Sequence, residues 1–260
     1  MSDAEFVKKY GPWALVTGAS GGIGQEIAVD LAEKGLNLIL VARSAEKLQS
    51  LAKSLTEKHG IDVQAIAADL GVEEDVLRLI AALSETEVGL YVANAGFGSV
   101  GAFADSKIDN ELNMIDVNCR ALTQLAYPLV RSMRVRGNGG MIFLSSIVAF
   151  QGVAQSANYA ATKAYVQSFA EGLQVELAPS GINVLSAAPG PVGTGFAGRA
   201  GMNMGSAARP DTVAKATIAA LGRARTTRPG FQAKLLGYGL GILPRRVRTL
   251  ILTNVMKGMT

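Results

Sequence analysis

The stretch WALVTGASGGIGQEIAVDLAEKG, residues 13–35, decides how the rest of the chain is read. A short apolar run, Trp13–Thr17, enters a glycine-rich turn, and the turn opens directly into an amphipathic helical segment. Strand, glycine turn and helix in that order let backbone amides and the positive helix end approach a pyrophosphate. The turn departs from the general GxGxxG fingerprint, because Gly22 and Gly24 are followed by Ile27 where a third glycine would stand. Gly18, Ser20, Gly22, Ile23 and Gly24 are the candidate contacts at this end.

Working outward, the same alternation continues. Apolar runs at Trp13–Thr17, Asn37–Val41, Asp62–Ala67, Gly89–Ala93, Met141–Ser145 and Ile182–Ala187 read as strands. Runs such as LILVA and MIFLS are apolar throughout, which suits parallel strands covered on both faces. Helical segments are expected near Ile23–Lys34, Ala45–Lys58, Glu73–Glu85, Glu111–Arg136, Tyr159–Ala178 and Asp211–Leu221. This alternation predicts a doubly wound parallel β-sheet with helices on both faces, a single Rossmann-type α/β domain over residues 1–260 with a C-terminal helical extension.

Composition narrows the function classes. The 260 residues are 49% hydrophobic and 18% charged, which suits a folded chain with a large core. Cys119 is the only cysteine and His59 the only histidine. No intrachain disulfide can form, an ordinary Cys/His zinc site is excluded, and so is any histidine-based triad. No metal is expected. Cys119 reads as a packed, unreactive thiol. The start, MSDAEFVKKYGPWALVTG, lacks the apolar run of a signal peptide, and no stretch reaches the roughly 18–20 apolar residues of a spanning helix. A cytoplasmic location is the expectation. The net charge is +4, and much of the excess lies in Arg223, Arg225, Arg228, Lys234, Arg245, Arg246, Arg248 and Lys257. Without aromatic interleaving these read as a solvated face rather than a nucleic-acid site.

The second strand ends in Val41-Ala-Arg43. An acidic residue here would bind the ribose hydroxyls of NAD(H), whereas a guanidinium can form two charge-assisted hydrogen bonds to a 2′-phosphate. Arg43 therefore predicts NADP(H) in preference to NAD(H), with NAD(H) open if Glu46 folds back. Ser20 and Ser44 are further candidates for phosphate contact.

Motifs farther along give the chain a family resemblance. TGASGGIG at 17–24, ADL at 68–70, NAG at 94–96, Asn118 in IDVN, Ser145-Ser146, YAATK at 159–163 and PGPVGT at 189–194 occur in order. With these spacings the chain resembles the short-chain dehydrogenase/reductase family over nearly its whole length. Chemistry agrees with the resemblance. Tyr159 and Lys163 are four residues apart, so on a helix they share a face. A neighbouring ammonium would favour the phenolate and bring Tyr159 into working range as general acid for carbonyl reduction. Ser146 would hydrogen-bond the substrate oxygen as negative charge develops. The resemblance implies that Lys163 also holds the nicotinamide ribose and that Asn118 joins a water-borne proton relay. It further implies that Asp69, in the ADL motif with Leu70, accepts from the adenine amino group, and that Asn94, Ala95 and Gly96 line the cofactor. Pro189, Gly190, Val192 and Thr194 would hold the nicotinamide end, with hydride delivered from the B face.

The expected activity is NADP(H)-dependent reduction of a hydrophobic ketone, aldehyde or 3-oxoacyl group. An alcohol or hydroxysteroid dehydrogenase shares every catalytic residue. A non-catalytic NADP(H)-sensing protein and a membrane-bound scaffold are the readings from other classes. Residues 194–209, with Met202 and Met204, are expected to form a loop beside the substrate. Residues 231–260 are similar to the ends of short-chain reductases of long-chain 3-oxoacyl thioesters or steroids. This extension could cover the pocket, touch a membrane peripherally or join subunits of a homodimer or homotetramer.

Overall fold

Six of the apolar runs form strands, with ends within two residues of those expected: β1 Trp13–Thr17, β2 Asn37–Ala42, β3 Val63–Ala67, β4 Val88–Ala93, β5 Gly139–Leu144 and β6 Ile182–Ala187. A seventh, β7 Thr226–Thr227, completes a parallel sheet in the order β3-β2-β1-β4-β5-β6-β7. The computed structural model describes residues 1–196 and 207–257. Most of the expected substrate loop, including Met202 and Met204, lies outside the described residues.

Side chains alternate across each strand, so every apolar run feeds two layers. Ala14, Val16, Leu38, Leu40, Leu90, Val92, Ile142 and Leu144 face one way. They pack on α1 (Asp3–Tyr10), α2 (Gly22–Glu33), α3 (Ala45–His59) and α8 (Pro210–Ala220) through Phe6, Ile27, Leu31, Leu48 and Ile218. Leu15, Ile39, Val41, Tyr91, Met141, Phe143 and Val184 face the other way. They meet α4 (Glu73–Ala82), α6 (Leu122–Arg136) and α7 (Ala157–Leu177) through Val76, Leu79, Leu125, Met133 and Val166. Each buried Leu, Ile or Val contributes about 1.5–3 kcal/mol, whereas an exposed pair such as Lys53–Glu57 contributes about 0–1 kcal/mol. The two apolar layers hold the sheet.

Two features depart from the expectations. Helix α1 was not foreseen. It starts in a capping box, with Ser2 Oγ accepting from Glu5 N at 3.3 Å and the Glu5 carboxylate accepting from Ser2 N at 2.7 Å. It buries Phe6 and Tyr10, and Tyr10 donates to Asn183 Oδ1 at 2.7 Å. The single helix expected over 111–136 is instead α5 (Ile108–Ile115), a π-helical turn (Asp116–Ala121) and α6. The π turn holds Asn118, and such bulges often accompany functional positions. The C-terminal extension is helical, as expected, and folds as α9 (Phe231–Gly239) and α10 (Arg245–Lys257). It sets Leu240 and Leu252 against a third apolar cluster around Phe97, Val148, Val153 and Tyr159. Phe231, Leu235, Tyr238 and Ile242 are turned outward.

The glycine turn shows why its glycines differ in weight. Gly18 has φ +69°, and a Cβ there would stand 2.7 Å from Asn94 Nδ2. At Gly24 a Cβ would collide with Asn94 Nδ2 and the Gly18 carbonyl oxygen, whereas Gly21 has open space and an extended backbone. Gly24→Ala should therefore cost about 1–3 kcal/mol of stability, and Gly21→Ala should stay within about 0.5 kcal/mol of the parent. Urea unfolding midpoints at matched m-values check both; equal midpoints for the two variants would refute the steric reading.

Candidate active site

In a parallel sheet all carboxyl ends emerge on one rim, and the strand order reverses between β1 and β4, where a crevice opens. Hydrogen bonds tie that crevice shut at its base. Thr17 Oγ1 donates to Val92 O at 3.2 Å and accepts from the amides of Asn94 and Ala95 at 3.1 and 3.2 Å. Asn94 Nδ2 donates back to Thr17 O and Gly18 O at 2.9 and 3.2 Å. The glycine turn and the NAG segment, two motifs 70 residues apart in the chain, are thus one rigid floor.

The catalytic candidates converge further along the rim. Ser146 follows β5, and Tyr159 and Lys163 lie one turn apart on α7. All three are buried, as is Asn118. Lys163 Nζ donates to Leu144 O at 2.7 Å and lies 6.0 Å from the Tyr159 ring centroid. Gly96 makes room beside them, since a Cβ there would stand 2.9 Å from Asn118 Oδ1 and 3.3 Å from Lys163 Nζ. The Phe196 ring stacks obliquely on Tyr159, 5.5 Å between centroids.

The electrostatics differ from the expectation that the lysine depresses the tyrosine. Burial dominates at Tyr159 and pushes its phenol up to about 12, with a hydrogen bond from Ser146 acting in the opposite direction. Burial also draws Lys163 down to about 8, and the nearby Cys119 thiol only partly restores it. The ammonium is engaged by a carbonyl rather than by the phenol, so desolvation outweighs any attraction between the two. Cys119 is raised to about 11 by burial, which agrees with an unreactive thiol.

Asn118 is used differently from a free relay group. Its Oδ1 accepts from Phe97 N at 3.1 Å, and its Nδ2 donates to Phe97 O at 2.9 Å and Thr162 Oγ1 at 3.0 Å. The side-chain amide clamps the strand-end loop onto α7. Thr162 was not singled out from the sequence; it donates onward to Tyr159 O at 2.8 Å and so links Asn118 to the catalytic helix.

The cofactor candidates follow the same rim. Gly22, at φ +58°, abuts Thr194, whose methyl would lie 2.9 Å from a Cβ there. The glycine turn thus meets the PGPVGT loop. Ile147 N donates to Pro189 O at 3.1 Å, joining that loop to the Ser146 segment. Thr194 Oγ1 accepts from Phe196 N at 3.2 Å, Val192 is buried and Gly190 packs under Ala233 of α9. At the other end Arg43 is exposed and has no ion pair among the described residues. Ser44 Oγ accepts from Lys47 N at 3.5 Å as the α3 cap. Asp69 Oδ1 accepts from Gly71 N at 2.9 Å, which fixes its carboxylate beside the buried Leu70. Ile23 and Ser20 are half-buried in the turn. A side-chain-free cradle at one end, an unpaired guanidinium beside it and a buried lysine at the other end suit an extended dinucleotide phosphate. Among the described residues no group of His, Cys, Asp and Glu could hold a metal ion, and no helix is long and apolar enough to cross a membrane.

Comparison with known proteins agrees with this geometry. Residues 12–204 match the family described as short chain dehydrogenase, and the chain belongs to that family. It is 31% identical over 239 residues to a very-long-chain 3-oxoacyl-CoA reductase of Anas platyrhynchos, covering 90% of this chain and 76% of that one. It is 35% identical over 191 residues to the "Inactive hydroxysteroid dehydrogenase-like protein 1" of Homo sapiens, covering 72% of this chain and 58% of that protein's length. A short-chain dehydrogenase from Sphingobium yanoikuyae, solved in complex with NADPH, superposes with a TM-score of 0.82 at 30% identity, covering 94% of this chain and 95% of that one.

The lowered Lys163 has a kinetic signature. If its ammonium is needed, reduction should fall as pH rises through about 8, where the charge is lost. Stability moves the other way: between about pH 8 and the ordinary lysine value of 10.5 the unfolded chain binds more protons, so the cost of burying Lys163 is relieved as pH rises. The pH profile of kcat/KM for reduction checks the first expectation. A rate that holds level to pH 10 would rule it out.

Proposed function

We propose that the chain is an NADP(H)-dependent reductase of hydrophobic carbonyl compounds, a ketone, aldehyde or 3-oxoacyl group. The observation that carries this is the burial of Ser146, Tyr159 and Lys163 together on the sheet's carboxyl rim, with Phe97, Val148, Val153 and Leu252 packed about the tyrosine. The dinucleotide, when bound, supplies the hydride. Ser146 donates a hydrogen bond to the carbonyl oxygen, and Tyr159 passes its phenolic proton to that oxygen as the carbon is reduced to an alcohol. Burial keeps Tyr159 protonated well past neutrality, which favours it as a proton donor and so favours reduction over oxidation. Lys163 restores charge balance and holds the nicotinamide ribose, and Asn118 keeps the loop and helix in register. Pro189, Gly190, Val192 and Thr194 would hold the nicotinamide end of the dinucleotide.

At the adenosine end Arg43 binds the 2′-phosphate, and Asp69 offers its second carboxylate oxygen to the adenine amino group. NADP(H) complexes among solved relatives, such as the Sphingobium yanoikuyae protein, support the cofactor. An NADP(H)-sensing protein without chemistry is the second reading, favoured by the human relative's description as inactive. The assembled catalytic set argues against it. A homodimer or homotetramer is expected, with the outward apolar residues of α9 available for contact.

NADPH oxidation across a carbonyl panel tests the reading. Tyr159→Phe should lower kcat by about 10²–10⁴-fold while NADPH binding persists. Wild-type indifference to that change, or binding without turnover on every carbonyl, would favour the sensing protein. Arg43→Ala should weaken NADPH about 10–100-fold, the loss of charge-assisted hydrogen bonds of roughly 1.5–3 kcal/mol, and leave NADH little changed. Equal losses for both cofactors would remove Arg43 from the 2′-phosphate.

A further inference from the structure

Arg228 occupies an unusual position for a guanidinium. It follows β7 directly, on the same carboxyl rim as Ser146 and Asn94. Its guanidinium carbon is 4.6 Å from the Phe150 ring centroid and 5.2 Å from that of Tyr238, so the group lies over both rings. Its Nε is buried and has no hydrogen-bond partner. Gly237 of α9 lies flat on it; a Cβ there would collide with Arg228 Cδ. The extension is therefore shaped around this side chain.

A second arginine faces the same cavity. Arg248 donates its Nε to Leu243 O at 2.7 Å, and with Arg228 it lines a cavity whose other walls include Ile147, Leu240 and Leu252. Ile147 is the residue after Ser146, and Leu240 and Leu252 also pack in the cluster that contains Tyr159. The cavity thus shares lining residues with the apolar cluster around Tyr159. Neither arginine has a carboxylate partner among the described residues. The sequence supplies none locally: after Asp211 there are nine basic residues and no acidic one.

Ring faces attract a guanidinium but leave its in-plane N–H groups unsatisfied. A partly desolvated cation with neither acceptor nor counter-charge is unfavourable, and the planar fork matches carboxylate and phosphate. We propose that Arg228 and Arg248 form a second substrate anchor, binding an anionic head group at the end of an apolar chain whose carbonyl lies at Ser146 and Tyr159. The ligand's status as substrate rests on the reductase reading; the anion site does not.

Calorimetric titration of NADPH-saturated full chain with decanoate and with 1-decanol separates the two. Decanoate should bind at least about tenfold more tightly than the alcohol, as charge-assisted hydrogen bonds to paired arginines require. Arg228→Met and Arg248→Met should each reduce that preference, and the double variant should abolish it. Arg248→Met alone carries the test if Arg228→Met fails to fold, judged by circular dichroism melting. Inorganic phosphate should not displace decanoate, because it lacks the chain. A wild-type protein without preference for the acid, or a preference that survives the substitutions, overturns the anchor. Displacement by phosphate alone reassigns the pair to a free oxyanion and overturns the substrate role. Turnover of a neutral ketone, lost in Tyr159→Phe, reports separately on the reductase reading.

Discussion

Thr17 and Asn94 bind together the two strands that flank the reversal in sheet order, and the rest of the site depends on that joint. A parallel sheet puts all its loop-bearing ends on one rim, but it does not fix the loops relative to one another. Here the Thr17 hydroxyl and the Asn94 amide exchange hydrogen bonds with each other's backbone. The glycine turn can then press against the NAG segment, which is why Gly18 and Gly24 have no room for a side chain. From this floor the loop runs to Phe97, where Asn118 takes both backbone groups and passes the restraint through Thr162 to the helix of Tyr159 and Lys163. Hydrogen bonds, part-buried at Thr17 and Asn94 and buried at Asn118, join the glycine turn through the NAG segment to α7. Each link is costly to break, because a buried donor left without its acceptor loses about 1–3 kcal/mol.

Burial has two opposed consequences at the catalytic helix. It holds Tyr159 in the protonated form and it weakens the hold of Lys163 on its proton. A proton donor benefits from the first effect and a charged partner is hindered by the second. The carbonyl of Leu144, 2.7 Å from the lysine, is the group that keeps the ammonium in place despite its desolvation. Ser146, on the segment just after Leu144, contributes the one hydrogen bond that opposes the rise at Tyr159. Burial sets the direction of both shifts, and the end of β5 supplies the carbonyl that holds the ammonium and the hydroxyl that moderates the phenol.

The strands and their burial were legible because fully buried parallel strands read as unbroken apolar runs, and the structure places β1, β2, β4, β5 and β6 where LVT, LILV, LYVA, MIFL and NVLSA stand. The site was legible through motif spacing, which a helix of 3.6 residues per turn converts directly into a shared face for Tyr159 and Lys163. What escaped had a weaker code. Helix α1 carries its signal in Ser2 and Glu5, a capping box only eight residues from a glycine-proline break. The π turn at Asn118 leaves no periodic trace, since one extra residue per turn inside an otherwise helical stretch looks like noise in the apolar pattern. β7 is two threonines long and is recognisable only from its partner, β6. The direction of the Tyr159 shift depended on burial, a property of the assembled fold that no spacing records.

The C-terminal extension illustrates how sequence charge acquires meaning only once the fold is known. Read along the chain, its arginines are a solvated basic face, and several remain so. Arg228 differs because β7 delivers it to the rim while α9 closes over it through Gly237. Leu240 and Leu252, farther along the extension, pack on the apolar cluster around Tyr159 and, with Arg228, also line the cavity beside it. An extension serving only as a lid would need the leucines and not the cations. Its outer residues, Phe231 and Ile242, are more than three-quarters exposed, so the apolar residues divide between an inner face that shapes the pocket and an outer face open to contact. The arginine pair lines the cavity between these faces, and on the proposed anchor its charge serves substrate binding rather than surface association.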